Sequence, residues 1–286
     1  MPELPEVETV RLGLTSVLVG RRLARVQARR PDLRFPLPEG FVQRLTGARV
    51  DTLTRRGKYM LAGLDRSLTL LVHLGMTGRF EIEGGAGRPV GDFALAAPAD
   101  PKHAHIVFDT DQDVRITFFD ARRFGFMDLI EDGGLATHPR LSDLGPEPLG
   151  PDFDRQYLEA AFAGRRQSAK TLLLDQRIVA GLGNIYVCEA LHRARVSPVK
   201  PAADIRRRQL DALIESIRTV LGEAIEKGGS TLRDFASADG SLGYFQHQFA
   251  VYDREHEPCV TPGCRGVVQR VVQGGRSTFY CPVCQR

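Results

Sequence analysis

The chain ends in a cluster of residues that can bind a metal ion. Four of its five cysteines form two pairs, Cys259 with Cys264 and Cys281 with Cys284, and sixteen residues separate the pairs. Thiolates a few residues apart can share one tetrahedral ion, and two such pairs complete the coordination of Zn²⁺. The residues between the pairs have the pattern of two strands joined by a glycine turn. We therefore predict a zinc ribbon whose zinc is structural, because four thiolates leave no open position for catalysis.

The start of the chain could supply a nucleophile. Pro2 follows the initiating methionine, and Glu3 follows Pro2. If Met1 is removed, the Pro2 nitrogen becomes a secondary amine, and a neutral amine can attack a carbonyl-like carbon to form a Schiff base. Alternatively, these residues only begin a helix, with Pro5 at the first helical position and Glu3 and Glu6 near the positive end of the helix dipole. The residues alone leave both interpretations open.

A two-glycine turn in the second half of the chain could bind phosphate. The stretch RIVAGLGNIY contains Gly181 and Gly183, but it lacks the third glycine and the βαβ setting of a dinucleotide-binding turn. We predict a helix, a turn and a second helix, with one glycine closing the first helix and Asn184 capping the second. Such a turn is either purely structural or also binds phosphate through the free amides of the helix N-terminus. Arg165 and Lys170 supply positive charge nearby.

Three loops in the first half carry residues that could have a functional role. Lys58 lies in a predicted β-turn beside two arginines, and Met76 lies between two glycines. Arg122 and Phe124 share a loop between predicted strands. An arginine beside an aromatic ring is the combination that unstacking of a base requires. Taken singly, each of these residues is also compatible with an ordinary solvated surface.

Regular elements must position these residues. Between residues 23 and 130, short strand-like segments broken by glycine and proline predict a β-sandwich behind a leading helix. Helical patterns dominate after residue 155, including a long helix near residues 205–226 with one apolar face. We predict an α+β fold of two domains, an N-terminal β-sandwich with a leading helix and a C-terminal helix–two-turn–helix domain with the zinc ribbon. The predicted segments are the catalytic sandwich 1–131, the linker 132–152, the helical region 153–250 and the ribbon 251–286.

The amino-acid composition and the charge of the chain exclude some classes of function. The 286 residues are 42% hydrophobic and carry a net charge of +4, which suits a protein with a sizeable core and an anionic partner. No apolar run reaches the roughly 18 residues that span a membrane. Charged residues interrupt the N-terminus from Glu3 onward, so we predict no secretory signal. We expect a cytoplasmic monomer that does not associate with membranes.

Several segments, taken together, are specific to one protein family. They are PELPEVET, RRGKY, HLGMTGRF, DARRFG, LLLDQRIVAGLGNIY, GGSTLRDF and the cysteine ribbon. With them, nearly the whole chain resembles the bacterial formamidopyrimidine-DNA glycosylases, which remove oxidised purines from DNA. PELPE in place of PEGPE distinguishes it from the sister endonuclease VIII group, which prefers oxidised pyrimidines. The sequence departs from the family pattern at the first cysteine pair, which usually encloses two residues and here encloses four.

The resemblance implies a role for each matching position. Pro2 is the nucleophile that attacks the sugar C1′ of the damaged nucleotide, and Glu3 is the general acid/base beside that sugar. Lys58 assists elimination and contacts phosphate, and Arg276 assists the later elimination and binds the phosphate beside the lesion. Segment 230–245 covers the extruded base. The remaining matching positions contact DNA or fill the gap left by the flipped nucleotide: His103, Arg122, Arg165, Lys170, Asn184, Met76 and Phe124.

The implied activity is that of a bifunctional DNA glycosylase and AP lyase of base excision repair. Its partner is double-stranded DNA with oxidised bases, among them 8-oxoguanine and formamidopyrimidines. An amine cannot reach C1′ inside a duplex, so the nucleotide must be flipped out. Displacement of the base by an amine yields an imine, which acidifies the adjacent sugar proton and leads to β- and δ-elimination. Two alternatives remain, a DNA-binding module without catalysis and the sister activity on oxidised pyrimidines.

Overall fold

The computed structural model describes residues 2–84, 99–230 and 243–286. The chain divides into two compact units, residues 1–142 with 225–246 and residues 143–224 with 247–286. The predicted α+β fold of two domains is confirmed, whereas the predicted limits of linker, helical region and ribbon stay a prediction. Within the described ranges, no helix is both long enough and apolar enough to cross a membrane.

In its described residues, the first unit contains two four-stranded antiparallel sheets and two α-helices. The helices are α1 (Leu4–Leu18) and α2 (Phe41–Leu45), and the strands are β1 (Leu23–Ala28), β2 (Val50–Arg56), β3 (Tyr59–Leu64), β4 (Leu68–His73), β5 (Arg79–Glu83), β6 (Ala104–Thr110), β7 (Arg115–Phe119) and β8 (Phe126–Glu131). One sheet has the order β1-β6-β7-β5 and the other β2-β3-β4-β8. Buried side chains from both sheets and from α1 form one apolar cluster. The predicted β-sandwich with a leading helix is therefore confirmed.

The strands follow the burial period that their sequence predicts. On β3, Met60, Ala62 and Leu64 are buried while the residues between them are half-buried. This is the two-residue period of a strand with one face on the core. β4 is buried over most of its length because it lies between β3 and β8.

Helix α1 begins one residue earlier than predicted. Glu3 is its N-cap and Leu4 its first residue, so Pro5 occupies the second helical position and not the first. Proline fits there as well, because backbone N–H groups of the first turn have no intrahelical acceptor. The apolar positions from Val7 to Leu18 that recur at helical spacing are buried against the core.

The second unit consists of helices and one β-hairpin. The helices are α3 (Arg155–Phe162), α4 (Ala169–Leu173), α5 (Asn184–Arg193) and α6 (Arg207–Glu226), and the hairpin pairs β9 (Gln269–Gln273) with β10 (Arg276–Tyr280). Gly274 and Gly275 join the strands with φ values of 55° and 74°, a conformation that favours glycine in two-residue hairpin turns. The predicted apolar face of α6 is buried, namely Leu210, Leu213, Ile217, Leu221 and Ala224.

Candidate active site and nucleic-acid interface

The start of the chain is held in place by a buried carboxylate. Pro2 and Glu3 are buried at the N-terminal end of α1. The Glu3 backbone N–H donates to Glu6 Oε2 at 2.8 Å. Glu6 Oε1 accepts from the N–H and the hydroxyl of Ser230, at 2.8 and 2.9 Å. Glu6 therefore links the predicted nucleophile to the first residue of segment 230–245.

This link was not predicted from the sequence. The spacing of Glu3 and Glu6 is that of a capping box, which predicts only a capping role for Glu6. Nothing local predicts its bonds to Ser230, which lies 224 residues further along the chain. Residue 1, whose removal would free the Pro2 amine, and residues 231–242, predicted to cover the extruded base, lie outside the described residues.

Lys58 is not a solvated surface lysine. It occupies the turn between β2 and β3, and only 7% of it is exposed. The next residue, Tyr59, pairs with His73 across β3 and β4. The His73 ring stacks on Phe126 with the ring centroids 5.3 Å apart. The turn therefore places Lys58 directly before a strand residue whose neighbours form a cluster of packed rings.

Positive charge is concentrated around His73. Burial, together with the charges of Lys58, Arg34 and Arg140, lowers the pKa of His73 from 6.5 to about 4. His73 is therefore neutral at pH 7, and the three neighbouring cations carry the charge. Such a concentration of cations favours an anionic ligand such as a DNA phosphate.

The structure brings together the three residues predicted to fill the gap of a flipped nucleotide. Met76, Arg122 and Phe124 line one cavity of about 530 Å³, with Arg34 and His73 on its wall. Phe124 is 42% exposed, which is unusual for a large apolar ring. The guanidinium carbon of Arg122 lies 4.7 Å from the Phe124 ring centroid, a cation–π contact. An exposed ring backed by a cation suits insertion into a base stack.

His103 lies beside the same loop. It ends a single 3₁₀ turn, Pro101–His103, directly before β6, and is half-buried. Its backbone carbonyl accepts from the N–H of Asp120 at 3.0 Å. Asp120 begins the loop that carries Arg122 and Phe124, so these predicted DNA contacts belong to one region of the first unit.

The two-glycine turn differs from the prediction at both ends. α4 ends at Leu173, well before Gly181, so neither glycine closes it. Gly183 is the N-cap of α5 and Asn184 is its first residue, so the prediction that Asn184 caps this helix was wrong. The turn is held instead by the Gln176 side chain, whose Oε1 accepts from the Gly181 N–H at 2.8 Å. The Asn184 side-chain amide instead forms a hydrogen bond with the hairpin.

Lys170 and Asn184 both donate to the hairpin. Lys170 Nζ donates to the Ser277 carbonyl at 3.1 Å and to Thr278 Oγ1 at 2.6 Å. Asn184 Nδ2 donates to the same Ser277 carbonyl at 2.9 Å. Lys170 is wholly buried, and among the described residues the buried Asn184 Oδ1 has no hydrogen-bond partner. The two residues predicted for a phosphate clamp thus hold β10 against α4 and α5.

Two of the predicted phosphate ligands are exposed arginines. Arg165 lies in the loop between α3 and α4, and Arg276 follows the two glycines of the hairpin turn. The planar guanidinium group can donate two parallel hydrogen bonds to a phosphate. Both positions are therefore suited to contact with DNA backbone.

The four predicted zinc ligands converge in the second unit. All four sulfur atoms lie within 4.8 Å of one another. Cys259 Sγ is 3.7 Å from Cys284 Sγ, and Cys264 Sγ is 3.8 Å from Cys281 Sγ. Sulfur atoms about 2.3 Å from a tetrahedral ion are separated by about 3.8 Å. The cysteines therefore fit one structural Zn²⁺, and the longer first knuckle does not displace its ligands.

Two residues near the metal-binding sulfurs were missed by sequence reasoning. His192 Nε2 lies 3.5 Å from Cys259 Sγ, and Thr261 Oγ1 lies 3.4 Å from the same sulfur. Burial raises the pKa of the Cys259 thiol, but hydrogen bonds with Thr261 and His192 outweigh it and bring the pKa to about 6. Thr261 belongs to the enlarged knuckle, so the extra length provides a polar contact to the ligand that begins it.

Family models cover most of the chain. The formamidopyrimidine-DNA glycosylase N-terminal domain matches residues 1–127, and the formamidopyrimidine-DNA glycosylase H2TH domain matches residues 144–236. A zinc finger found in FPG and IleRS matches residues 257–286. These matches include most of the first unit, the two-glycine turn and the cysteine pairs.

Known proteins are similar over their whole length. The formamidopyrimidine-DNA glycosylases of Phenylobacterium zucineum and Caulobacter vibrioides are 65% and 64% identical to this chain, with 100% of each chain covered. The crystal structure of MutM (FPG) from Thermus thermophilus has a TM-score of 0.84 at 38% identity and covers 99% of this chain and 98% of its own. Lactococcus lactis Fpg in complex with abasic site containing DNA has a TM-score of 0.85 at 34% identity, with 99% of both chains covered. This chain belongs to the formamidopyrimidine-DNA glycosylase family.

Proposed function

We propose that this protein excises oxidised purines, 8-oxoguanine and formamidopyrimidines among them, from duplex DNA and then cleaves the strand. The observation that carries the proposal is the pair Pro2–Glu3, buried at the end of α1 in a chain of this family. A Lactococcus lactis FPG mutant, 34% identical to this chain, was solved with Fapy-dG containing DNA, which supports an oxidised purine as the substrate.

The proposed chemistry begins at the Pro2 nitrogen. Once Met1 is removed, the amine attacks C1′ of the flipped nucleotide, and the bond from C1′ to the base breaks. Glu3 moves the protons beside the sugar as the base leaves and the C1′–O4′ bond of the ring opens, with a proton going to O4′. The nitrogen loses its own proton and forms the double bond to C1′, which gives the iminium form of the Schiff base. The imine acidifies C2′, so a proton is lost there and the 3′ phosphate leaves by β-elimination. The 5′ phosphate leaves in the δ-elimination that follows.

Phosphate contacts make each elimination easier. Lys58 and Arg276 stabilise the negative charge of the departing phosphates. His103 and Arg165 contact the DNA backbone at further positions. Lys170 and Asn184 contribute by holding the hairpin that carries Arg276, as their bonds to the Ser277 carbonyl support.

Extrusion of the nucleotide is the role proposed for Met76, Arg122 and Phe124. Unstacking costs a few kcal/mol per base step, and apolar side chains that enter the gap offset this cost. The grouping of the three residues at one cavity supports this role. One structural zinc held by the four cysteines stabilises the ribbon, and we propose that the protein acts as a monomer in the cytoplasm.

Trapping with borohydride tests the proposal. The processed protein should form a covalent adduct with duplexes that contain 8-oxoguanine, because borohydride reduces an imine. Duplexes that contain an oxidised pyrimidine and undamaged duplexes are the matched controls. A variant with residues added ahead of Pro2 should bind the lesion but form no adduct.

Each other outcome favours a different interpretation. Adducts formed preferentially with the oxidised pyrimidine would indicate the sister activity. Lesion binding without any adduct would indicate a DNA-binding module. An adduct that persists when the N-terminus is blocked would assign the nucleophile to an internal lysine such as Lys58.

A further inference from the structure

A buried carboxyl group joins two loops of the first unit. Asp120 directly follows β7, and its side chain is wholly buried. Asp120 Oδ1 accepts from the Thr77 hydroxyl at 2.5 Å, and Oδ2 accepts from the Gly125 N–H at 2.7 Å. Thr77 Oγ1 in turn accepts from the Arg122 N–H at 3.1 Å. These three bonds connect residues 74–78, called here the Met76 loop, with residues 120–125, called here the Phe124 loop.

The backbones of the two loops also touch. A Cβ atom at Gly75 would lie 2.3 Å from both the Phe124 carbonyl carbon and the Gly125 nitrogen. Gly75 has a φ of 63°, so both its conformation and its surroundings require glycine. This close approach leaves the loops little freedom to move independently.

The network is fixed to the sheet beneath it. The Asp120 N–H donates to the His103 carbonyl at 3.0 Å, and the Asp120 carbonyl lies 2.9 Å from Nε2 of the buried His105. His103 and His105 flank the first residue of β6. Asp120 therefore links both loops to the first residues of β6, a strand that lies inside its sheet.

A rigid backbone lowers the free-energy cost of inserting side chains into a base stack. A loop that becomes ordered only on insertion loses conformational entropy at that moment, which adds to the cost of unstacking. Phe124 is 42% exposed, so its own packing holds it only in part. Rigidity must then come from the backbone beneath it, and hydrogen bonds to buried acceptors provide such rigidity.

We infer that Thr77 and Asp120 are positioning residues for nucleotide extrusion, which hold the Met76 and Phe124 loops in one arrangement before DNA binds. This inference rests on the gap-filling role in the proposed function. Neither residue needs to touch DNA, because each acts through the loops that it joins.

Substitutions at Thr77 test the inference with little change of shape. Thr77→Val removes the hydroxyl and leaves Asp120 Oδ1 and the Arg122 N–H without this partner, whereas Thr77→Ser retains it. The probe is a duplex with 8-oxoguanine beside 2-aminopurine, whose fluorescence rises when stacking is lost. Thr77→Val should slow both the fluorescence change and single-turnover excision by about tenfold. Thr77→Ser should remain within about twofold of the parent protein.

A matched control separates positioning from general stability. Thr110 Oγ1 accepts from the Val114 N–H at 3.2 Å in the turn at the other end of the β6–β7 hairpin. Thr110→Val removes a hydroxyl that likewise accepts from a backbone N–H, but away from both loops, so it should leave the extrusion rate unchanged. Equal slowing by Thr110→Val and Thr77→Val would overturn the inference, because the effect would then follow stability alone.

The double variant Thr77→Val with Phe124→Ala decides whether Thr77 acts through the loop. The effect of Thr77→Val should shrink when Phe124 is already absent, because the residue that it positions is gone. Fully additive effects would contradict the inference. If Phe124→Ala alone leaves extrusion unchanged, the proposed gap-filling role fails instead. If Phe124→Ala slows extrusion and Thr77→Val does not, only the positioning inference is wrong.

Discussion

Glu3 is the residue on which the proposed division between excision and strand cleavage depends. Glu3→Gln removes the exchangeable carboxyl proton while its shape is kept, so base excision should fall by at least about 100-fold. Cleavage of a duplex with a preformed abasic site should largely survive, because that substrate has no base to lose. Single-turnover assays on the two duplexes measure the difference. Glu39→Gln, at an exposed carboxyl group, is the control and should leave both rates unchanged. Equal losses on both substrates would contradict the role of Glu3.

His73 should make folding stability depend on pH. The pKa of His73 is about 4 in the folded protein, whereas the ordinary pKa of a histidine is 6.5. Between pH 4 and pH 6.5 the unfolded chain therefore binds more protons than the folded protein does. Stability should therefore fall as the pH drops from 6.5 towards 4, by up to about 3 kcal/mol. His73→Gln should remove this part of the pH dependence, and denaturant unfolding at a series of pH values measures it. His256, whose side chain is 87% exposed, is the control position, and His256→Gln should leave the dependence unchanged.

At the scale of secondary-structure elements, the Lys170 side chain joins α4 to β10 through hydrogen bonds. Lys170→Met should lower the free energy of unfolding by about 1–3 kcal/mol, because the Ser277 carbonyl and Thr278 hydroxyl lose a charged donor in a buried place. Lys102→Met should change it by no more than about 0.5 kcal/mol, since the Lys102 side chain is 69% exposed. Denaturant unfolding compares the two. A stable Lys170→Met variant that has lost DNA affinity would instead assign Lys170 directly to phosphate binding.

The zinc ribbon should require its ion to keep its structure. We expect one Zn²⁺ per chain in the purified protein, measured by metal analysis. Cys281→Ser should lose zinc and DNA binding together, because metal binding supplies folding free energy to such small modules. Cys188→Ala is the control, since Cys188 is buried in an apolar cluster with Val251, Val268 and Phe279. Zinc-free protein, or unchanged DNA binding by Cys281→Ser, would contradict the expectation.

At the scale of the whole molecule, DNA affinity should depend strongly on salt. Arginine and lysine contacts with phosphate release counterions, and roughly four to six contacts give a slope of log K against log salt of about −4 to −5. Arg165→Ala should reduce the magnitude of that slope by about 1. Arg155→Ala, which removes an arginine paired with Asp211, should leave the slope unchanged. A flat response to salt would exclude binding dominated by phosphate contacts.

Several features of this protein are determined by short stretches of sequence. The zinc ligands are an example, because two cysteines with only two or four residues between them stay close together whatever the rest of the chain does. The burial period of β3 is another, since alternation of side chains is a property of any strand. The prediction of Pro2 as the nucleophile likewise depends only on its place directly after Met1. The family resemblance also rests on short local motifs.

Other features were decided only by tertiary structure. Lys170 is predicted to supply positive charge beside the two-glycine turn, yet its ammonium group is buried because it meets β10, 107 residues later. Asn184 has the sequence setting of a helix cap, but its amide donates to Ser277 instead. Thr77 and Asp120 carry no sequence signal for the bond between them, which spans 43 residues. Local preferences describe what a residue can do, whereas the fold decides which distant donors and acceptors lie within hydrogen-bonding distance and how far water is excluded from them.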